Sequence, residues 1–205
     1  MFPALINSKM KKTIIATAVV FTLLANAAMA QQANEGPWMV RARAVHLDST
    51  NGDTTGLGLG VNNKWIPEVD ISYFFNKNMA MELVLTVPQK HTLSNSTAVM
   101  GTLKHLPPTL MAQYHFDAGG YKPYVGAGIN YTRFSSVNIG GPTLEKDSWG
   151  PALQVGVDIP LKGNMYFNID VKKVLIRTDV FSGTTNLGTF KIDPLLVGMG
   201  LGWRF

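Results

Sequence analysis

From residue 38 onward, apolar and polar side chains alternate in one short run after another. Across 65–75 the odd positions carry Trp65, Pro67, Val69, Ile71, Tyr73 and Phe75, while Glu68, Asp70 and Ser72 take even ones. Met79, Met81, Leu83, Leu85 and Val87 repeat the pattern against Glu82 and Thr86. Residues 106–116 place Leu106, Pro108, Leu110, Ala112, Tyr114 and Phe116 on one face. The same period of two runs through 121–131, 149–159, 165–171 and 195–205, the last opposing Leu195, Val197, Met199, Leu201, Trp203 and Phe205 to three glycines. With 38–47, this predicts eight strands, each with one apolar face.

The connections alternate too. Residues 48–63, 91–103, 135–147 and 178–190 are long, polar loops, whereas 76–78, 117–120 and 160–164 are short turns. Long and short in turn is the rhythm of an outer-membrane barrel with extended external loops and tight periplasmic turns. Lipid offers no partner to an unpaired backbone group, so a sheet crossing it must close on itself. The fold class expected is therefore all-β: an eight-stranded antiparallel up-and-down transmembrane β-barrel. A soluble β-sandwich would alternate as well. Against it, the apolar faces end in aromatics such as Trp38, Tyr73, Tyr114, Tyr131, Trp149 and Phe205, as interfacial girdles do, and the opposite faces carry charge.

The first thirty residues add a compartment. Met10-Lys11-Lys12 is a basic start, 14–24 is an apolar run, and Ala28-Met29-Ala30 is a small-x-small cleavage site. The run is short for a spanning helix of about 20 residues, so 1–30 is expected to be a secretory signal peptide, with Met10 a second candidate start. Residues 31–205 then form one barrel domain in the outer membrane of a Gram-negative bacterium. Three of the eighteen lysines and arginines precede the cut, leaving fifteen against thirteen acids, a net charge of +2. That balance, with no basic patch among aromatics, gives no case for nucleic acid. The chain has no cysteine, hence neither disulfide nor thiolate metal site.

Four blocks carry a more specific likeness: HLPPTLMAQY (105–114), PYVGAGINYT (123–132), LEKDSWGPALQVGVD (144–158) and the closing DP…GWRF (193–205). They resemble the OmpW family of small outer-membrane barrels, with which AlkL-type alkane importers and OprG-type porins are grouped. The resemblance spans the mature chain. It implies an eight-stranded barrel with a narrow, largely apolar channel, and uptake of small, mostly hydrophobic molecules. It also implies, for some members, a role as phage or bacteriocin receptor. An aromatic residue near the channel base on the seventh strand belongs to the family pattern; here that position holds Lys172. A terminal aromatic, here Phe205, is the signal read by barrel-insertion machinery.

With the N-terminus in the periplasm, each inward residue has a height. Val45, Leu47, Ile66, Val84, Met111, Phe134, Val174, Ile176, Ile192 and Leu196 fall near the external end, and Arg41, Arg43, Asp70, Glu82, Gln154, Asp158, Asp170, Lys172 and Arg204 near the periplasmic end. Eight strands enclose room only for side chains or one small ligand, so either core packing or a solute path accounts for the apolar half. The charges below must pair to offset desolvation and are expected to form a plug. Lys173 falls on the outer face, where lipopolysaccharide phosphates are a possible contact. The loop at 91–103 brings Pro88 opposite Pro107 and Pro108, three residues without an N–H on one seam. Either they merely end two strands, or they part the wall as a lateral window for hydrophobic solutes into the bilayer.

Chemistry finds little support. His46, His91 and His105 lie at loop ends and His115 near the periplasmic rim, without H-x-x-x-H or H-E-x-x-H spacing. No G-x-S-x-G occurs, and the glycines of 56–60 and 126–128 open no helix. No cofactor and no enzymatic activity are expected. The rival to a channel is a receptor or adhesive surface protein working through its external loops.

Overall fold

The computed structural model describes residues 36–205 apart from 96 and 140; the expected signal peptide lies outside them. In chain order the strands are β1 (Trp38–Asp48), β2 (Gly52–Asp53), β3 (Gly60–Val61), β4 (Lys64–Phe74), β5 (Met79–Thr86), β6 (Gln89–Ser94), β7 (Val99–Leu106) and β8 (Thr109–His115). They continue as β9 (Lys122–Ile139), β10 (Thr143–Leu144), β11 (Asp147–Pro160), β12 (Met165–Val174), β13 (Arg177–Ser182), β14 (Thr185–Lys191) and β15 (Leu195–Arg204).

Eight of these make the wall. The order β1-β4-β5-β8-β9-β11-β12-β15 returns to β1, every neighbour antiparallel. The closing seam runs from Met39↔Arg204 to Asp48↔Leu195. At its foot Trp38 N–H donates to Phe205 C=O at 3.0 Å, and Phe205 N–H donates back to Trp38 C=O at 2.8 Å. Phe205 is thus tied to β1, and the ring of eight strands closes on itself.

The alternation sorts outside from inside as expected. Ile71, Leu83, Leu110, Val125, Leu153, Ile169 and Val197 are exposed on the outer face, where acyl chains are their solvent. At the periplasmic end Trp38, Tyr73 and Phe75 stack edge to face at 4.9 and 5.3 Å, as do Tyr114 and Phe116 at 5.0 Å; near the external end Tyr131 meets Trp149 at 4.8 Å. On β4, Trp65 and Tyr73 mark the two girdles, ~26 Å apart along the strand.

Two expectations change. The run 106–116 is not one strand: β7 stops at Leu106 and β8 begins at Thr109, because Pro107 and Pro108 cannot donate to a ladder. The external segments expected as loops are largely strands as well. β6 and β7 pair as a hairpin, β3 adds to β6, β9 runs on to Ile139, and β2, β10, β13 and β14 form a second sheet. Threonine-rich polar segments form strands readily when one face is covered. Here Leu93, Leu103, Leu144, Val180 and Phe190 cover it, in one apolar cluster with Phe134, Val174 and Ile176 over the barrel mouth.

Candidate functional site: the lumen, its floor and its seam

The floor is a buried ion network drawn from most of the wall. Arg41 is fully buried and bidentate on Asp158, with Nη2 2.6 Å from Oδ2 and Nε 3.0 Å from Oδ1; its Nη1 reaches Asp70 at 2.9 Å and Ser72 at 2.8 Å. Arg43 lies 3.0 Å from Glu68, 2.5 Å from Asp70 and 3.1 Å from Glu82. Lys172 bridges Glu68 at 2.9 Å and Asp170 at 2.6 Å. Gln154 donates to Glu82 and Asp170, and the Tyr124 hydroxyl donates to Asp170 at 2.8 Å. The expected plug residues therefore do meet. Arg204 sits lower, its guanidinium 3.9 Å over the Phe74 ring. Such a network is held because losing one partner strands the others away from water.

Space for the arginines comes from β15. Arg41 and Arg43 stand opposite Gly202 and Gly200, and a Cβ at Gly200 would lie 1.9 Å from Ala42 O. Across the bore, Gly156 makes room for Tyr124, whose ring would come within 2.4 Å of an added Cβ. Tyr124 and Asn168 complete the floor and escaped the sequence reading as functional positions. Both sit at the polar phase of their strands, so the period of two carried the signal.

Above Glu68 and Lys172 lies a small chamber of about 20 Å³, room for one water-sized group. Of the apolar lumen positions expected, Leu47, Ile66, Val84, Val174, Ile176 and Leu196 line it; Val45, Met111 and Phe134 are buried inward but pack outside it, and Ile192 belongs to the cluster above. His105, expected at a loop end, is instead buried and lines the chamber, and His91 is buried beside it, the rings stacked at 4.7 Å and 18°. Both stand on the external hairpin, above the spanning segments. Burial, His91 and Lys64 push the His105 pKa down to about 3, and burial lowers that of His91. Lys173 does face outward, but its ammonium is held by Thr50 Oγ1 at 2.7 Å and by the carbonyl of Asp193.

The wall beside the chamber is incomplete. Pairing between β5 and β8 stops at Val84↔Thr109 and resumes between β6 and β7 at Gln89↔His105. Among the described residues, 85–88 face 106–108 across this gap without a paired register, four residues against three. Pro88, Pro107 and Pro108 all lie within it. On its far side the gap is tied down, Tyr131 N–H donating to Pro108 C=O at 3.0 Å. Val84 and Thr109, which flank the break, and Thr86 and Pro107 within it also line the chamber.

A closed wall with an apolar outer skin, aromatic girdles and charges gathered inside defines an integral β-barrel of a Gram-negative outer membrane. The family model described as "OmpW family" matches residues 33–205, and the chain belongs to that family. It is 40% identical over 184 residues to the uncharacterized outer-membrane protein y4mB of Sinorhizobium fredii, covering 82% of this chain and 80% of that one. It is 34% identical to outer membrane protein W of Escherichia coli, covering 96% of this chain and all of that one. In structure it is similar to OprG of Pseudomonas aeruginosa, with a TM-score of 0.72 at 24% identity over 85% of this chain and 98% of that one.

Proposed function

We propose that the protein lets small, mainly hydrophobic molecules pass passively into the outer membrane, from the external side into the chamber and then sideways through the seam. The observation that carries this reading is the break in the ladder between Val84↔Thr109 and Gln89↔His105, beside an apolar chamber. An axial route is opposed by the floor, where a solute would have to separate buried ion pairs. Sideways exit costs little, because each CH₂ moved from water to lipid is favourable by about 0.8 kcal/mol. Entry from outside requires the apolar cluster above the chamber to part. A relative named dibenzothiophene metabolism operon protein PahQ, from Pseudomonas aeruginosa, is 29% identical over 66% of this chain and 69% of its own length. Its name sets that relative beside the metabolism of an apolar aromatic compound. Lipopolysaccharide around the wall and insertion machinery acting on Phe205 are the partners this reading requires.

The test replaces Pro88, Pro107 and Pro108 together by valine, restoring the missing donors, and measures uptake of a hydrophobic solute by whole cells. Uptake falls if the seam is the exit; unchanged uptake through an intact barrel refutes it. A receptor or adhesive role is favoured by one separate observation, the strand-built external extension, which presents a firm surface. Grafting the external segments onto another barrel would transfer phage or bacteriocin binding under that reading, without transferring uptake.

A further inference from the structure

The chamber has an uneven complement of hydrogen-bonding groups. Most of its polar lining is already satisfied. Glu68 and Lys172 hold each other at 2.9 Å, and Thr86 Oγ1 donates to Pro67 C=O at 2.8 Å. Asn130 Nδ2 donates to Thr109 Oγ1 at 2.8 Å, and Asn130 Oδ1 accepts from Thr132 at 2.6 Å. His105 is different. It is 1% exposed, and neither ring nitrogen has a hydrogen-bond partner among the described residues. His91, against which it stacks, is anchored by Nδ1 on Asn62 C=O at 3.1 Å; Phe134 presents its edge from the other side at 6.2 Å. A buried imidazole without partners is costly, and buried polar groups in folded proteins are normally satisfied.

We infer that His105 is the recognition point for one neutral hydrogen-bonding head, a hydroxyl or a carbonyl, on an otherwise apolar solute. The assignment deepens the uptake reading and rests on it for the solute's route, though not for the binding itself. The chemistry follows from the surroundings. Held neutral by burial, with His91 and the Lys64 charge acting in the same direction, the ring offers one donor and one acceptor, which a hydroxyl can engage from either side and a carbonyl from one. A carboxylate or ammonium head would shed its hydration for a single neutral partner, since the charges of the floor are already committed to each other. The size agrees: about 20 Å³ admits a head group and little else. His105 stands two residues from Pro107, so a head bonded there has the gap within reach of its tail, which can extend through the seam into lipid.

The experiment uses the folded protein in lipid nanodiscs with ¹⁵N-labelled histidine, titrated with 1-octanol, octane and octanoate. Saturable shifts of the His105 imidazole nitrogens are expected with 1-octanol and not with octanoate. Methyl resonances of Leu47 and Val174 report occupancy by any solute, and should show 1-octanol favoured over octane by roughly fivefold relative to His105→Leu, in which that preference disappears. His105→Gln, which keeps a donor and an acceptor, retains part of it and answers for any variant that fails to fold. An unchanged octanol-to-octane ratio in folded His105→Leu, or imidazole nitrogens indifferent to 1-octanol, overturns the inference. Failure of the valine seam variant to slow uptake would sink the lateral route and leave this binding result to be judged on its own.

Discussion

Replacing Arg41 by methionine should be more damaging than removing any one carboxylate of the floor, and the reason lies in the charge count. Among the described residues, Arg41, Arg43 and Lys172 pair directly with five carboxylates, Glu68, Asp70, Glu82, Asp158 and Asp170. Losing Arg41 leaves two cations against five acids and strips Asp158 of its bidentate partner. Asp158→Asn instead leaves three against four, and Arg41 keeps Asp70. Breaking a buried pair from one side costs about 3–5 kcal/mol, and the substitution that worsens the imbalance belongs at the upper end. Urea unfolding in phospholipid vesicles, followed by tryptophan emission, measures both variants and their combination. Expected are a loss of about 4–5 kcal/mol for Arg41→Met, a smaller loss for Asp158→Asn, and coupling of about 1–3 kcal/mol in the double variant. If Asp158→Asn proves the costlier change, or Arg41→Met costs under ~1 kcal/mol, the floor is not the cation-limited ion-pair network described.

Gly156→Val should lower stability by about 1–3 kcal/mol in the same urea assay, because its side chain meets the Tyr124 ring; a neutral effect would mean that Tyr124 is free to move. The chain has no native cysteine, so Val87→Cys with Leu106→Cys can be bridged across the gap by a cleavable thiol reagent. Uptake of a hydrophobic solute should fall on bridging and return on reduction, and uptake indifferent to the bridge counts against sideways exit. Acid should loosen the external hairpin. With its folded pKa near 3, below the usual value near 6.5, His105 contributes stability that is fully present above about pH 6.5 and lost as pH falls toward 3. By pH 4.5 the loss approaches about 2–3 kcal/mol, read as faster amide exchange in β6 and β7. His105→Leu should flatten that dependence, and equal slopes in the two proteins refute the assignment.

Much of the barrel was legible in the chain itself. Strict period two gives each residue a side, and the alternation of long and short connections gives each strand a direction, so Arg41, Asp70 and Lys172 could be set inside and low, and Leu47 and Val174 inside and high. Those are local properties, read from spacing alone. Arg41, Arg43, Asp70, Glu82, Asp158, Asp170 and Lys172 followed from the same rule, whereas Glu68, whose spacing sets it higher, joins through Arg43 and Lys172, and Tyr124 was missed because an aromatic invites assignment to the lipid face.

Tertiary structure decided what depends on which strand lies beside which, and at what height. The one-residue mismatch across the seam arises from two hairpins stacked one above the other, β5–β8 and β6–β7, so the prolines marked the place but not the size of the gap. His105 looked like a loop residue because its neighbours Lys104 and Thr102 are polar. It is buried where His91 of β6 stacks on it and Phe134 of β9 packs against it. Spacing along one strand specifies a face; burial above the membrane needs partners far apart in sequence, and only the assembled fold brings them together.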